Sequence, residues 1–118
     1  MAMTLVLCCL MTLGSAQIIH GTKLTADELV QSRWKLFNDQ KLLGDILFNP
    51  DGTIGLYDND NERYWALIDG TLSILNKGKD ATCNFVVSFR DYYGKWHLSG
   101  RFLLPWAKPG WEHYLVQI

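Results

Sequence analysis

The densest run of oxygen donors in the chain is Asp58-Asn59-Asp60-Asn61-Glu62, which offers them at alternating positions as calcium loops do. An EF-hand loop needs Gly at its sixth position and Glu at its twelfth. Arg63 and Asp69 stand there, so the run reads as a solvated hairpin tip. His20, His97 and His113 are far apart in sequence and none pairs with a cysteine, which leaves no zinc ligand set. Nucleophiles fare no better. Cys83 falls on the apolar face of a predicted strand, where a buried, inert thiol is the ordinary reading. The serines lack a G-x-S-x-G context, and Gly52 to Gly55 and Gly78 lack phosphate-loop spacing. Asp45, Asp51, Asp69, Asp91 and Glu112 are spread over turns and strand ends. A hydrolase of the glycosidase kind would need two carboxyls about 5–10 Å apart, and the sequence alone brings no two of these together. No catalytic residue, metal or cofactor is expected.

The aromatics remain. The 118 residues include five Trp, five Tyr and five Phe. Trp34, Trp65 and Trp96 lie on the inward faces of three predicted strands and read as core. Trp106 and Trp111 bracket Ala107-Lys108-Pro109-Gly110, a loop where no core demands them. Together with Tyr57, Tyr64, Tyr92 and Tyr93 near turns, they are the candidate ligand-binding residues. Flat apolar faces beside hydroxyl groups suit a sugar ring or a small flat ligand. The competing reading has the loop pair cap a filled barrel. Inward faces carry almost no polar residue, which favours a filled core or a mostly apolar ligand.

These side chains need a scaffold, and the chain supplies a period of two almost throughout. Thr25-Ala26-Asp27-Glu28 is a capping box that opens a helix of one or two turns. Alternation then runs through Trp34 and Leu36, Ile46 and Phe48, Ile54 and Leu56, Trp65 and Leu67, and Leu72 and Ile74. It continues through Ala81, Cys83, Phe85, Val87 and Phe89, then Trp96, Leu98, Gly100, Phe102 and Leu104, and closes with Tyr114, Val116 and Ile118. Asn49-Pro50-Asp51-Gly52, Asp69-Gly70, Asn76 to Asp80 and Tyr92 to Lys95 are turn signals. About eight short strands at roughly ten-residue spacing follow, and such short connections force antiparallel neighbours. The expected fold is all-β: an antiparallel up-and-down meander closing into a small closed or half-open barrel, with one short N-terminal helix. A two-sheet sandwich is the next choice.

Residues 1–16 form a signal peptide or apolar leader. Met3 to Leu13 is nearly all apolar and shorter than the about 20 residues of a bilayer span, and Gly14-Ser15-Ala16 suits cleavage after Ala16. Residues 17–32 hold the remaining leader and the short helix, and 33–118 a single barrel domain. Cleavage would put the protein in the periplasm or outside the cell; an uncleaved leader would belong to a larger cytoplasmic protein. Eleven Lys and Arg against twelve Asp and Glu leave a net charge of −1 and no basic excess for nucleic acid.

Two resemblances follow. Asn49-Pro50-Asp51-Gly52-Thr53-Ile54-Gly55, then Asn61-Glu62-x-x-Trp65-x-Leu67-x-Asp69-Gly70-x-Leu72, resembles an accessory module found beside bacterial surface-polysaccharide glycosyltransferases. The likeness covers roughly residues 33 to 104, continues at Thr82 and Phe85, and includes no transferase domain. The layout of Trp34 and Asp51-Gly52-Thr53-x-Gly55-x-Tyr57 is also similar to avidin- and lipocalin-like barrels, although Ser32-Arg33 replace their G-x before the Trp. The first likeness implies a glycosyltransferase partner and the second a small ligand. The expectation is therefore a non-catalytic barrel binding a carbohydrate or small ligand through exposed aromatics. The alternatives are a structural or interaction accessory to a polysaccharide-building glycosyltransferase, or a detached fragment of one, and an unrecognised hydrolase.

Overall fold

A computed structural model of the chain describes residues 23–104 and 111–118. The leader over 1–16 and the candidate Trp106 lie outside the described residues. A helix α1 (Ala26–Val30) precedes eight strands: β1 (Arg33–Asn38), β2 (Lys41–Phe48), β3 (Ile54–Gly55), β4 (Tyr64–Ile68), β5 (Thr71–Leu75), β6 (Ala81–Arg90), β7 (Trp96–Phe102) and β8 (Glu112–Gln117). They form one sheet in the order β3-β2-β1-β8-β7-β6-β5-β4. Every strand pair among the described residues is antiparallel, and β8 returns to pair with β1. The two outer strands then meet: Thr53 bridges Tyr64, Ile54 N donates to the Arg63 carbonyl and Trp65 N to the Gly52 carbonyl, each at 3.0 Å. A two-residue β3 limits that seam, so the meander is a nearly closed barrel with few free edges.

Turn chemistry sets the hairpins. Asp69 (φ 50°) and Gly70 (φ 80°) both adopt positive φ, the type I′ geometry whose twist matches the flanking strands. Asp91 Oδ1 accepts from the amides of Tyr93 (2.8 Å) and Lys95 (3.0 Å), fixing the β6–β7 turn.

Helix α1 plugs one end. The capping box forms as expected, with the Glu28 amide donating to the Thr25 hydroxyl at 3.2 Å and the Thr25 amide to Glu28 Oε1 at 3.0 Å. Leu29 is fully buried beneath the helix, and its carbonyl accepts from the Trp34 indole at 3.1 Å. Glu28 Oε2 accepts from the Trp96 indole at 3.1 Å and from the Arg90 guanidinium, which lies 4.8 Å over the Trp96 ring. Partial burial pushes the Glu28 carboxyl upward, but hydrogen bonds from Trp96 and Thr25, with the charge of Arg90, outweigh it and hold it below its usual range.

The barrel interior is filled by inward side chains. Trp34 and Trp96 are buried as the alternation predicts, and half-buried Trp65 packs against the same core. Trp34, Phe48 and Trp65 form an edge-to-face chain with ring centroids 5.9 Å apart at each step. Leu36, Leu115 and Leu98 meet in one layer across β1, β8 and β7. That layer corrects the alternation expected at the C-terminus. Tyr114-Leu115-Val116 is apolar on both parities, and pairing with two inward leucines turns Leu115 and His113 in and Tyr114 out.

A second correction falls on β6. Ala81, Cys83, Phe85, Val87 and Phe89 do not share one face: Cys83 and Phe85 are buried, while Val87 and Phe89 are exposed. Register slips between Asn84 and Val87, where Asn84 faces Arg101 and Val87 faces Ser99. Two residues, Phe85 and Val86, thus oppose Gly100 alone, which defines a β-bulge. Gly100 permits it, since a Cβ there would stand 2.0 Å from the Asn84 carbonyl oxygen.

Candidate ligand-binding groove on the outer wall

Beyond the bulge, the outward face of β6, β7 and β8 is read off the register. One row runs Phe89–His97–Val116 and the next Val87–Ser99–Tyr114. Ser99 is the smallest member and stands among larger ones, so the surface sinks at its position. The depression is a half-open, mostly apolar groove of about 240 Å³ lined by Phe89, His97, Ser99, Tyr114 and Val116, with Leu98 and Leu115 at its base. An outward sheet face is ordinarily polar. This one is apolar because the bulge turns Val87 and Phe89 to solvent, Phe89 at 56% exposure.

Rigid walls and polar tips surround the groove. The rings of Phe89 and His97 stack with centroids 4.8 Å apart and planes within 6°. His97 Nε2 lies 2.8 Å from Asp91 Oδ2, which fixes the imidazole against the wall. That hydrogen bond, with those from the Lys95 and Tyr93 amides, holds the Asp91 carboxyl below its ordinary range. The Tyr114 hydroxyl donates to Glu112 Oε1 at 3.1 Å, and this bond pushes the Tyr114 phenol upward. The groove can stack a ring between aromatic walls and offer hydroxyl and imidazole groups at its rim.

The aromatics picked out in the sequence divide between the two barrel ends. Tyr92 (93% exposed) and Tyr93 (82% exposed) form the tip of the β6–β7 hairpin at the helix-capped end, edge to face at 5.4 Å, next along the chain from Phe89 and His97. Tyr57, Tyr64 and Trp111 belong to the opposite end, the mouth, where the β1–β2, β3–β4, β5–β6 and β7–β8 connections lie. Tyr57 is half-buried, its ring 3.1 Å from where a Cβ on Gly44 would stand. Lys79 Nζ sits 5.0 Å over the Tyr64 ring. Trp111 is half-buried, and its carbonyl accepts from the Phe102 amide at 3.2 Å. These residues do not form one platform. Phe89, Ser99 and Tyr114, which line the groove, are absent from the sequence-based set. The adjacent Val86-Val87, which breaks a period of two, and a glycine on the facing strand were the signal for them.

The protein matches no protein-family model, no curated protein and no solved structure. Both resemblances rest on their quoted motifs alone. Among the described residues no three His, Cys, Asp or Glu side chains are grouped to hold a metal, and no helix is long and apolar enough to cross a membrane.

The mouth holds a further correction. Asp58 and Asp60 are exposed and paired with Arg63 at 3.0 and 2.8 Å, as a solvated tip should be, but Glu62 turns inward and is 3% exposed. The loop 56–63 is folded over the barrel end, held by the Thr82 hydroxyl donating to the Asn61 carbonyl at 2.9 Å and the Lys77 amide to the Asp60 carbonyl at 2.7 Å. Burial pushes the Glu62 carboxyl up to about 7. Burial, with the Glu62 charge adding to it, pushes the Cys83 thiol up to about 12 and lifts the Tyr57 phenol. His113, 2% exposed, is pushed down to about 4 by burial. The interior is therefore less apolar than its sequence pattern implies.

Proposed function

We propose that the protein is a non-catalytic barrel that binds a carbohydrate ring, or a small ligand of similar size, against the exposed aromatics of its outer wall. The observation that carries this reading is the groove at Ser99, walled by Phe89, His97 and Tyr114 on a sheet face where polar residues are the rule. Its 240 Å³ lies just below the about 300 Å³ at which pockets for drug-sized ligands begin, which fits a single ring better than an extended molecule. Tyr92 and Tyr93 extend the aromatic surface toward the capped end. The motif likeness to modules that accompany polysaccharide glycosyltransferases favours a sugar among ring-shaped ligands. Binding rather than turnover is favoured because Ser99, the nucleophile type in the groove, makes no hydrogen bond to His97, so a nucleophile–base pair is not assembled. With residues 1–16 read as a cleaved leader, the binding takes place in the periplasm or outside the cell.

NMR titration with monosaccharides, oligosaccharides and small aromatic compounds tests the proposal. Saturable shifts should concentrate at residues 87–99 and 114–116. Phe89→Ala and Tyr114→Ala should abolish them while changing stability by less than about 0.5 kcal/mol, as expected for exposed side chains. Shifts that stay at zero across the panel, or that survive both substitutions, refute it. Exposed Val86 and Val87 beside the groove favour a second reading, an accessory surface for a protein partner such as a glycosyltransferase. Binding of such a partner, lost in Val86→Ser/Val87→Ser with the sugar response retained, would support it.

A further inference from the structure

The barrel mouth carries buried polar groups that the outer groove leaves unused. Asn38 and His113 are direct cross-strand neighbours on β1 and β8, and the alternation that buries Trp34, Leu36 and Leu115 turns both inward. Asn38 Oδ1 and His113 Nδ1 are both buried without a hydrogen-bond partner among the described residues. The Glu62 carboxylate, from the loop over the mouth, likewise makes no hydrogen bond or ion pair among them. Cys83 lies between the two sides: burial pushes its thiol up, the Glu62 charge adds to that, and the His113 backbone works against it. Aromatic surface lies alongside, with the Phe102 ring 4.4 Å from that of His113 and the Tyr57 ring seated on Gly44.

Unpaired buried polar atoms are rare in folded proteins, and two on neighbouring strands at one end of the barrel, beside the buried Glu62 side chain, call for a shared partner. The inventory gives its chemistry. A carboxylate and an amide oxygen only accept, and a neutral imidazole nitrogen accepts in one tautomer. The missing partner is therefore rich in donors. It also brings positive charge, because no cation among the described residues pairs with Glu62, and it suits neighbouring aromatic faces. We propose that the mouth is a second binding site, formed by Asn38, Glu62 and His113, for a small organic cation carrying a primary or secondary ammonium group.

Benzylamine and its neutral analogue benzyl alcohol, titrated at about pH 8 with NMR detection, provide the test. The amine should bind saturably with shifts at residues 38, 62 and 113, and the alcohol at least about tenfold more weakly, as a charge-assisted hydrogen bond requires. Glu62→Gln, which keeps the shape, and Asn38→Leu, which keeps the charge, should each weaken the amine by about tenfold or more. Phe89→Ala should leave amine binding intact, which separates this site from the outer groove. Equal binding of amine and alcohol, unchanged affinity in folded Glu62→Gln, or no saturation with only ordered water on Asn38 and His113 in a crystal structure would each overturn the proposal.

Discussion

Glu62→Gln removes a charge that the mouth buries without a partner, so it should stabilise the protein, and only where Glu62 would be ionised. The folded carboxyl titrates at about 7 against 4.5 in its ordinary state, because burial opposes the charged form. The folded protein thus binds the proton more tightly than the unfolded chain. The stability this proton contributes is complete below about pH 4.5 and lost as pH rises to about 7. A difference of about 2.5 units, at 1.36 kcal/mol each, comes to about 3 kcal/mol. Urea denaturation of wild type and Glu62→Gln across this range should give curves that coincide near pH 4. They should diverge by about 1.4 kcal/mol per unit between about 4.5 and 7, then level off about 3 kcal/mol apart. In melting temperature the plateau corresponds to roughly 12–24 °C for a domain of this size. Comparing the two proteins at each pH cancels the titration of every other group that behaves alike in both. A difference that stays flat with pH, or a variant less stable than wild type at pH 8, would mean that the carboxylate is solvated or paired.

Other substitutions probe the remaining elements. His113→Gln should remove the acid limb of the stability profile: burial holds the folded imidazole at about 4 against 6.5, so its contribution is full above about pH 6.5 and is lost as pH falls toward 4, about 3 kcal/mol in all. A denaturation series through that window, unchanged by the substitution, would refute the burial of His113. Gly100→Ala should cost more than about 4 kcal/mol or displace the bulge, because its Cβ meets the Asn84 carbonyl at 2.0 Å; a well-folded variant with unmoved β6 and β7 amide shifts would count against it. Glu28→Gln should lose the charge-assisted contact to Arg90, costing about 1.5–3 kcal/mol, and should speed hydrogen exchange in α1 well before the strands respond.

What was legible in the sequence was local, and what was hidden depends on partners distant along the chain. Thr25 and Glu28 state the capping box within four residues, and Trp34, Ile74 and Leu98 reveal their inward positions by parity alone. Asp69-Gly70 names its own turn. Val87 and Phe89 could not be placed by parity, because their face depends on a bulge that only Gly100, on the next strand, makes room for. Tyr114 and Val116 were ambiguous for a related reason: when both parities are apolar, the facing strands decide. Glu62 sits in a run of polar residues that looks solvated. Its burial follows from a loop whose anchors, Lys77 and Thr82, lie on other elements, and no window around residue 62 contains them. Tyr57, Tyr64, Tyr92 and Tyr93 were each correctly set near turns, but only the ordering of the strands assigns the first two to the mouth and the others to the capped end.

The two corrected regions have the same energetic character. Phe89 outside the bulge forgoes burial that an unbroken strand would have given it, and Glu62 with His113 weakens the fold at opposite ends of the pH scale. Glu62 lowers stability above about pH 4.5, His113 below about 6.5, so their slopes nearly cancel between these values and the mouth is least strained with both side chains neutral. A leucine at position 62 or a phenylalanine at 113 would relieve that strain and fit an apolar interior. Features that cost stability and have a cheaper apolar replacement are the ones expected where a protein binds something, since a ligand supplies in the complex what the free protein lacks. For the mouth, an ammonium ligand should raise the stability of wild type most where Glu62 is ionised and leave Glu62→Gln nearly unmoved. For the outer groove, a bound sugar should stabilise both proteins equally. Melting curves of the two proteins with each ligand therefore assign binding to one site or the other, and a sugar that discriminates between them would contradict the separation of mouth from wall.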